Sequence, residues 1–384
     1  MPPKTVPPET TTPPIKQRLY FNGRFLSQRL TGVQRYAYEF IRACDTLAEQ
    51  GQLETLWPGV QLCLLCPPNA RDDLELLHVE RRQVGRLRGQ LWEQLELPYY
   101  SRDGLLLNLC NTFPLFKSQQ ASTLHDAAIF ARPEAYTWAF RRWYRLLFPL
   151  AARRNLALFT DSQFSRRELS RYTGIAAERW QVVYLGHEHI FDVPADDGVL
   201  ERHTLRPQEF LLAVGSLSPH KNFQAVVQAL ESLPEANFPV AIAGGSDAAV
   251  FAGKPQLSQR VKQLGYVSDG ELRALYEHAS AFIFPSRYEG FGFPPLEAMA
   301  CGCPVIASQA ASLPEVCGEA VRYCDPEDIS SIAEAIEHVM HNPALRTELR
   351  ERGYTQAAKF RWLDCASTTL QHLKTAVNAR MQQV

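Results

Sequence analysis

The sequence predicts an α/β protein with two doubly wound domains that face a central cleft. A chain of 384 residues exceeds the length that one hydrophobic core usually organises. Strand-like and helical segments alternate along it, which favours parallel sheets covered by helices on both faces. The alternation restarts near residue 210, after a segment rich in Asp, Pro and Gly at 192–208. We therefore expect one domain at 18–200 and a second at 201–365, with ligands bound at the carboxyl ends of the strands.

The composition fits a cytoplasmic protein. Residues 1–17 carry three proline pairs and lack the apolar core of a signal peptide, so we expect a disordered tail. No stretch is long and apolar enough to span a membrane. The nine cysteines are odd in number and lie partly in apolar runs, as Cys63 and Cys66 do, which favours core packing over a disulfide framework.

Each domain opens with a strand and a helix. Residues 19–22 predict the first strand, and the segment from Gly32 to about residue 47 has helical spacing of apolar residues. In the second domain, residues 210–214 predict a strand, and Asn222 is expected to cap the next helix. Three later caps are predicted at Ser268, which begins a capping box, and at Asp325 and Asn342, which each precede a proline.

The most specific pattern in the sequence places two carboxylates on either side of a glycine-bearing loop. An apolar run at 281–284 predicts a buried strand, two prolines at 294–295 suit the start of a helix, and Gly302 closes that helix. Glu289 then lies on the loop and Glu297 in the first turns of the helix.

This arrangement suits a nucleotide sugar. Gly290 and Gly292 let a backbone approach a ligand closely, and free amides at a helix start favour a phosphate. Ionised carboxylates such as Glu289 and Glu297 accept hydrogen bonds from neutral hydroxyls of a ribose or a sugar. A structural alternative is that Glu297 complements the helix dipole and Glu289 caps the loop.

The stretch resembles the donor-binding motif of the retaining glycosyltransferases of family four, which have the GT-B fold of two Rossmann-like domains. The resemblance covers roughly 18–365. It implies that the C-terminal domain binds the nucleotide, that the N-terminal domain binds the acceptor, and that a helix at 366–384 crosses back to the N-terminal domain. It also implies that Glu289 faces the transferred sugar, that Glu297 holds the ribose, and that the backbone of Gly290, Phe291 and Gly292 contacts sugar and phosphates. Trp362 resembles the family tryptophan at the start of the crossing helix, although core packing explains it equally well.

Lys221 is the candidate for stabilising the leaving group, because its ammonium lies just before a helix start, where it could reach phosphates. The family commonly carries an arginine near this loop, whereas this chain has Ser216 and His220. Ser216 is an expected donor contact. Arg287 is close enough in sequence to substitute for the missing arginine.

His125 resembles the active-site histidine of the family. It follows a short apolar run and precedes a loop, so a strand end at the cleft is expected. The resemblance implies that a neutral imidazole hydrogen-bonds the transferred sugar. Asp126 could orient this ring or cap the next turn. Gly32 resembles the N-terminal glycine loop and is an expected donor or acceptor contact, and the serines at 162–165 are first interpreted as helix caps.

A basic and aromatic segment at 141–154 is typical of a helix at a membrane surface. Its candidate acceptor or membrane residues are Arg141, Arg142, Trp143 and Arg145. The alternative is a helix packed on the acceptor domain with a solvated basic face. If it binds anionic lipid, the protein lies at the inner face of the plasma membrane. The basic residues are dispersed, so no nucleic-acid partner is expected.

The predicted activity is hexosyl transfer without a metal or other cofactor. No D-x-D sequence occurs, and helix amides and Lys221 would take the place of a cation. The 215–222 loop and the His125 segment resemble bacterial mannosyl and rhamnosyl transferases of surface polysaccharides, which favours a GDP-sugar and a saccharide or lipid-linked saccharide acceptor. UDP- or dTDP-sugars, a nucleotide-sugar isomerase and a catalytically silent nucleotide-sugar binding protein are the alternatives.

Overall fold

The computed structural model describes residues 17–133, 137–215, 218–233, 238–244 and 261–382. Within these residues, the chain forms two parallel β-sheets with helices on their faces. This is the two-domain, doubly wound architecture that the sequence predicts. The expected tail at 1–17 lies almost wholly outside the described residues.

The N-terminal lobe contains a seven-stranded parallel sheet in the order β3-β2-β1-β4-β5-β6-β7 among the described residues. Its strands are β1 (Arg18–Asn22), β2 (Gln61–Cys66), β3 (Glu80–Gln83), β4 (Leu105–Asn108), β5 (Gln120–Thr123), β6 (Leu158–Thr160) and β7 (Trp180–Val182). Its helices are α1 (Gly32–Glu49), α2 (Gln52–Leu56), α3 (Gly89–Leu91), α4 (Leu97–Tyr100), α5 (Ala128–Ala131), α6 (Trp138–Arg154) and α7 (Gln163–Thr173). Short 3₁₀ turns occupy Gly23–Ser27, Ala177–Arg179 and Glu188–Phe191, and a π turn occupies Trp92–Glu96.

The C-terminal lobe contains a six-stranded parallel sheet in the order β10-β9-β8-β11-β12-β13 among the described residues. Its strands are β8 (Leu211–Gly215), β9 (Val240–Gly244), β10 (Val261–Gly265), β11 (Ala281–Phe284), β12 (Val305–Ser308) and β13 (Val321–Cys324). The helices from the linker onward are α8 (Gly198–Arg202), α9 (Phe223–Glu231), α10 (Asp269–His278), α11 (Phe293–Ala300), α12 (Leu313–Cys317), α13 (Ile329–Met340), α14 (Pro343–Ala357) and α15 (Trp362–Met381).

Each sheet reverses its strand order beside its first strand, between β1 and β4 in one lobe and between β8 and β11 in the other. Ligands bind to open parallel sheets at such switch points, outside the carboxyl ends of the strands. Strands β4, β11 and β12 are buried at every position, so they read as continuous apolar runs in the sequence. The loops that follow β8 and β11 carry Lys221 and Glu289.

The last helix, α15, packs along α1 of the N-terminal lobe. Its buried residues include Cys365, Leu370 and Leu373, and Lys374 donates from Nζ to the Leu56 carbonyl at 2.9 Å. No helix among the described residues is both long and apolar enough to cross a membrane. All cysteines are free, and all but the half-buried Cys110 are buried.

Two of the four helix caps predicted in the C-terminal domain are confirmed. Ser268 forms the complete capping box of α10, and Asn342 caps α14 by accepting from Leu345 N. Asn222 is wrong as a side-chain cap, because it has a left-handed backbone with φ 61°. Its amide instead donates to the carbonyls of Pro285 and Pro326, which ties two loops of the C-terminal lobe together.

The cap predicted at Asp325 is wrong by three residues. Asp325 accepts from Glu327 N and closes a turn, whereas Asp328 accepts from Ser330 N and caps α13. The segment at 192–208 also differs from a plain linker, because it contains the one-turn helix α8, which buries apolar side chains at 199–200.

Candidate active site

A cavity of about 680 Å³ lies between the two lobes. The predicted site residues that line it are Gly32, His125, Lys221, Glu289, Gly290, Phe291, Gly292 and Glu297. Four separate segments of the chain supply them, two from each lobe. Both lobes therefore form the walls of the cleft.

Lys221 and Glu289 form an ion pair in the cleft. Lys221 Nζ donates to the two carboxylate oxygens of Glu289 at 2.7 and 3.0 Å, and both side chains are largely buried. Ser286 also donates from Oγ to Glu289. The ammonium lies 5.0 Å from the ring centre of Phe284. The pair places one cation and one carboxylate side by side, as a phosphate and a neutral sugar bound next to each other would require.

Glu297 lies in α11 with both carboxylate oxygens engaged. His189 donates from Nε2 to Oε1 at 2.8 Å, and the Tyr276 hydroxyl donates to Oε2 at 3.2 Å. Burial alone would raise the pKa of this carboxyl, but the bond from His189, the nearby Arg35 guanidinium and the bond from Tyr276 hold it below its ordinary value. Glu297 is therefore an ionised acceptor with lone pairs left for a ligand.

The start of α11 is a weaker phosphate site than the sequence analysis expects. Gly292 precedes the helix with a left-handed φ of 117°, which requires a residue without a Cβ. Two of the first three helical residues are Pro294 and Pro295, and proline has no N–H to donate. Phe293 alone supplies a first-turn amide from these positions. The start of this helix therefore offers few free amides to an anion.

His125 is buried at the end of β5, and both ring nitrogens have partners. Nε2 lies 2.9 Å from the Leu109 carbonyl, to which it donates, and Nδ1 lies 2.7 Å from Asp161 Oδ2. Burial alone lowers the pKa of His125, but the Asp161 carboxylate and the Leu109 carbonyl raise it above its ordinary value. Burial raises the pKa of Asp161. Protein groups therefore occupy both nitrogens of the ring that, by the resemblance, is expected to hydrogen-bond the transferred sugar.

The open question about Asp126 is answered by its contacts. Asp126 accepts from Ala128 N and closes the turn into α5, and it is Asp161 that orients the His125 ring. The chain separation of 36 residues between His125 and Asp161 hid this pairing from sequence reasoning.

The glycine loop of the C-terminal lobe docks on the N-terminal lobe. A Cβ on Gly290 would lie 2.8 Å from Asp126 Cβ. The glycine is therefore required here by the close approach of the N-terminal lobe, whether or not a ligand also approaches it. Ser162 and Ser165 donate from Oγ to the Gly290 carbonyl at 2.6 and 3.0 Å. Ser162 also caps α7, as predicted. These contacts bring Glu289 and His125 to the same cleft.

Some predicted residues lie elsewhere. Arg287 does not line the cleft and donates from Nε to Glu327 at 2.7 Å. Ser216 lies outside the described residues. Arg142 and Arg145 are exposed on α6, Trp143 is 37% exposed, and Arg141 is half-buried. None of these α6 residues lines the cleft.

Sequence reasoning missed three polar groups of the site. Asp161 orients His125, His189 binds Glu297, and Asp269 lines the cleft. Asp269 could have been found from the sequence, since it is the first residue of the helix that begins at the predicted capping box of Ser268. His189 had no such signal, because it lies just before the segment at 192–208 that the sequence predicts as a linker, and 108 residues before its partner.

The fold and the cleft are those of a GT-B glycosyltransferase. Sucrose-phosphate synthase from Thermosynechococcus elongatus matches with a TM-score of 0.72 and 20% sequence identity, over 95% of this chain and 100% of that one. At this identity, the likeness shows the fold alone. The predicted fold class is confirmed.

Sequence comparison gives the family. The family model described as "Glycosyl transferases group 1" matches residues 201–356. The O-antigen chain mannosyltransferase B of Escherichia coli is 31% identical over 383 residues, covering 93% of this chain and 99% of the relative. The O-antigen chain mannosyltransferase RfbU of Salmonella typhimurium is 28% identical over 237 residues, covering 61% of this chain and 64% of the relative. The chain therefore belongs to the group 1 glycosyl transferases, and it is a transferase enzyme.

Proposed function

We propose that the chain is a retaining, metal-independent transferase that moves a hexose of the mannose or rhamnose type from a GDP-sugar to a saccharide or lipid-linked saccharide. The product would be part of a surface polysaccharide. The observation that carries the proposal is the convergence of Lys221, Glu289, Glu297 and His125 on one cleft. The two O-antigen mannosyltransferases among its relatives support the mannose type.

The proposed chemistry uses charge and position. Lys221 neutralises the charge that grows on the leaving phosphate, and Glu289 accepts hydrogen bonds from the transferred sugar once the ammonium has turned to the phosphate. The acceptor hydroxyl lies on the face of the sugar from which the phosphate leaves. Its oxygen bonds to the anomeric carbon as the bond from that carbon to the donor phosphate breaks, and an oxygen of the leaving phosphate takes the hydroxyl proton. Among the described residues, no three His, Cys, Asp or Glu side chains are grouped as metal ligands, and Lys221 supplies the positive charge in this proposal.

The rim of the cleft supports guanine as the base. Asp269 and Tyr266 both line the cavity. Guanine presents two adjacent donors, N1–H and N2–H₂, which match the two oxygens of a carboxylate, whereas uracil presents one donor between two acceptors. Tyr266 is 69% exposed and offers a ring on which a base can stack. Arg35 contacts Asp269 and lies near Glu297, so the proposed base and ribose sites adjoin.

A thermal-shift titration with GDP, UDP, dTDP and ADP in EDTA tests the donor, because a ligand that binds the folded state raises its melting temperature. We expect GDP to give the largest shift, and Glu297→Gln and Asp269→Asn to reduce it. Asp364→Asn, on the exposed face of α15, is the matched control and should leave the shift unchanged.

Turnover is then measured with GDP-mannose and a saccharide acceptor. A shift with UDP or dTDP alone would move the proposal to another donor, and a donor converted without acceptor would indicate an isomerase. If no nucleotide shifts the wild type, even with Mg²⁺ or Mn²⁺ added, the transferase proposal for this cleft fails.

We propose that α6 docks on an anionic membrane surface that presents a lipid-linked acceptor. Trp138 and Leu146 are 64% and 66% exposed, and Arg142 and Arg145 are exposed beside them. Exposed apolar and cationic side chains on one helix are typical of a membrane interface. Sedimentation with phosphatidylglycerol vesicles should be reduced by Arg142→Gln with Arg145→Gln and unaffected by Arg352→Gln, a distant surface control. Equal binding to phosphatidylcholine vesicles would contradict the charge-based docking.

A further inference from the structure

We infer that His189 is a positioning residue for the donor nucleotide, and that it links the ribose site to the junction between the lobes. The inference rests on the proposed function, in which Glu297 holds the ribose diol. It adds a residue from the segment between the lobes to the donor site. His189 itself need not touch the ligand, because its effect passes through the Glu297 carboxylate.

The hydrogen bonds of His189 fix its tautomer. The Trp362 indole donates from Nε1 to His189 Nδ1 at 3.2 Å, and an indole N–H can only donate. Nδ1 therefore carries the lone pair, and the ring proton lies on Nε2. Nε2 donates that proton to Glu297 Oε1 at 2.8 Å. Trp362 thus sets the direction of the chain of hydrogen bonds that reaches Glu297.

This chain of hydrogen bonds holds the carboxylate in one place. His189 occupies Oε1 of Glu297, and Tyr276 occupies Oε2 from the other side. Each carboxylate oxygen keeps lone-pair capacity for a further donor. A ribose diol has two adjacent hydroxyls, and it requires both oxygens at fixed positions. Loss of the His189 bond would remove one of the two hydrogen bonds that hold the Glu297 carboxylate, so the carboxylate could turn about the remaining bond from Tyr276 and the diol would lose its oriented acceptor.

The junction that carries His189 is packed tightly. A Cβ on Gly186 would lie 2.3 Å from Trp362 N, so this position has no room for a side chain. Trp362 N donates to Glu188 Oε2 at 3.1 Å, and His187 Nδ1 lies 2.8 Å from the Phe360 carbonyl. The segments 186–189 and 360–362 are therefore joined where the chain passes between the lobes.

Aromatic rings connect this junction to both lobes. Trp362 lies 6.2 Å from the ring of Tyr36 in α1 and 5.9 Å from the ring of Phe293 in α11. Tyr36 in turn lies 4.7 Å from the His125 ring. A movement of α15 relative to either lobe would change the contacts of Trp362, and through His189 it would move the donor carboxylate. Donor affinity is thereby linked to the arrangement of the lobes.

The test separates positioning from a structural role by measuring the contribution of the ribose diol. Affinities of GDP and of 2′,3′-dideoxy-GDP are measured by calorimetry in EDTA, with UDP and its dideoxy analogue in parallel so that the base does not decide the result. His189→Phe keeps the ring and removes the hydrogen bonds, whereas His189→Gln keeps a donor and an acceptor. His187→Phe is the matched control, because its ring bonds a carbonyl of the same junction and not Glu297.

In the wild type, we expect the nucleotide with the diol to bind about ten-fold or more tightly than its dideoxy analogue, as for a hydrogen bond to a charged group. In His189→Phe, this ratio should fall to about three-fold or less, while His189→Gln and His187→Phe keep it. A purely structural role would weaken both nucleotides equally and leave the ratio unchanged, which would overturn the inference.

Two further results keep the outcomes distinct. If the wild type binds none of these nucleotides, the proposed function itself fails. If Glu297→Gln removes the diol preference and His189→Phe does not, only the role of His189 fails. Should His189→Phe not fold, Trp362→Phe takes its place, since it keeps the ring stacking and removes one N–H. Its diol ratio should fall by about two-fold or more, and an unchanged ratio would overturn the inference.

Discussion

If the proposed function holds, replacing Glu289 with glutamine should strengthen GDP binding, although Glu289 belongs to the proposed donor site. The Lys221 ammonium is engaged by the Glu289 carboxylate at 2.7 and 3.0 Å. At an effective dielectric constant of about 20, two charges 2.7 Å apart attract by about 6 kcal/mol, and desolvation of the charges offsets most of this. A diphosphate must compete for that ammonium. If removal of the Glu289 charge makes the binding free energy of GDP more favourable by about 1.4 kcal/mol, GDP binds about ten-fold more tightly.

The same substitution at Glu297 should have the opposite effect, because in the proposed function Glu297 accepts hydrogen bonds from the ribose, and its carboxylate is bonded by His189 and Tyr276 rather than by Lys221. Calorimetry of GDP with Glu289→Gln and Glu297→Gln therefore compares two chemically identical changes with expected opposite signs. With GDP-mannose, the gain in Glu289→Gln should disappear, and kcat should fall by about ten-fold or more, since the sugar contact is lost. If both variants weaken GDP alike, the competition between Glu289 and phosphate for Lys221 is refuted.

Three further predictions concern stability. The pKa of His125 is raised in the folded state, so the stability that its protonation contributes is complete below its ordinary value of about 6.5 and is lost as the pH rises through the folded value. Urea unfolding should show the advantage of wild type over His125→Gln shrinking from pH 6 to 9, and a constant difference would contradict this. Lys117 is buried with its pKa lowered to about 8, so the unfolded chain binds the proton more tightly and stability should rise from pH 8 to about 10.5. Lys117→Met should lack that rise, and the same rise in both proteins would contradict it. Glu315 accepts from two backbone amides of the other lobe and from the Tyr184 hydroxyl. Glu315→Gln should lower the free energy of unfolding by about 1–3 kcal/mol and increase the radius of gyration in small-angle scattering, and unchanged dimensions would argue against its role in holding the lobes together.

The parts of the site that are local in the chain could be predicted from sequence. Glu289 and Glu297 are separated by a loop and a helix start whose residues each favour that structure, so their placement follows from short-range rules. The capping box at Ser268 is equally local. By contrast, Asn222 is a residue type that often caps helices, but its side-chain amide donates to the carbonyls of two distant loops instead.

The parts that depend on tertiary contacts could not be predicted. The resemblance identifies His125, but its Nδ1 is hydrogen-bonded to Asp161, which follows β6, and not to the neighbouring Asp126. The tautomer of His189 requires an indole from a helix 173 residues away. Such pairs are set by how strands and lobes come together, and no period or propensity in one segment encodes them.

The packing of α15 along α1 has a consequence for the synthesis of the chain. The apolar face of α1, with Tyr36, Phe40 and Cys44 buried, obtains part of its cover from a helix that begins at Trp362. At roughly 5–20 residues per second, the ribosome needs on the order of 15–60 s to reach that helix after completing α1. The N-terminal lobe therefore passes through a long interval with an incomplete core, in which aggregation or chaperone binding competes with folding.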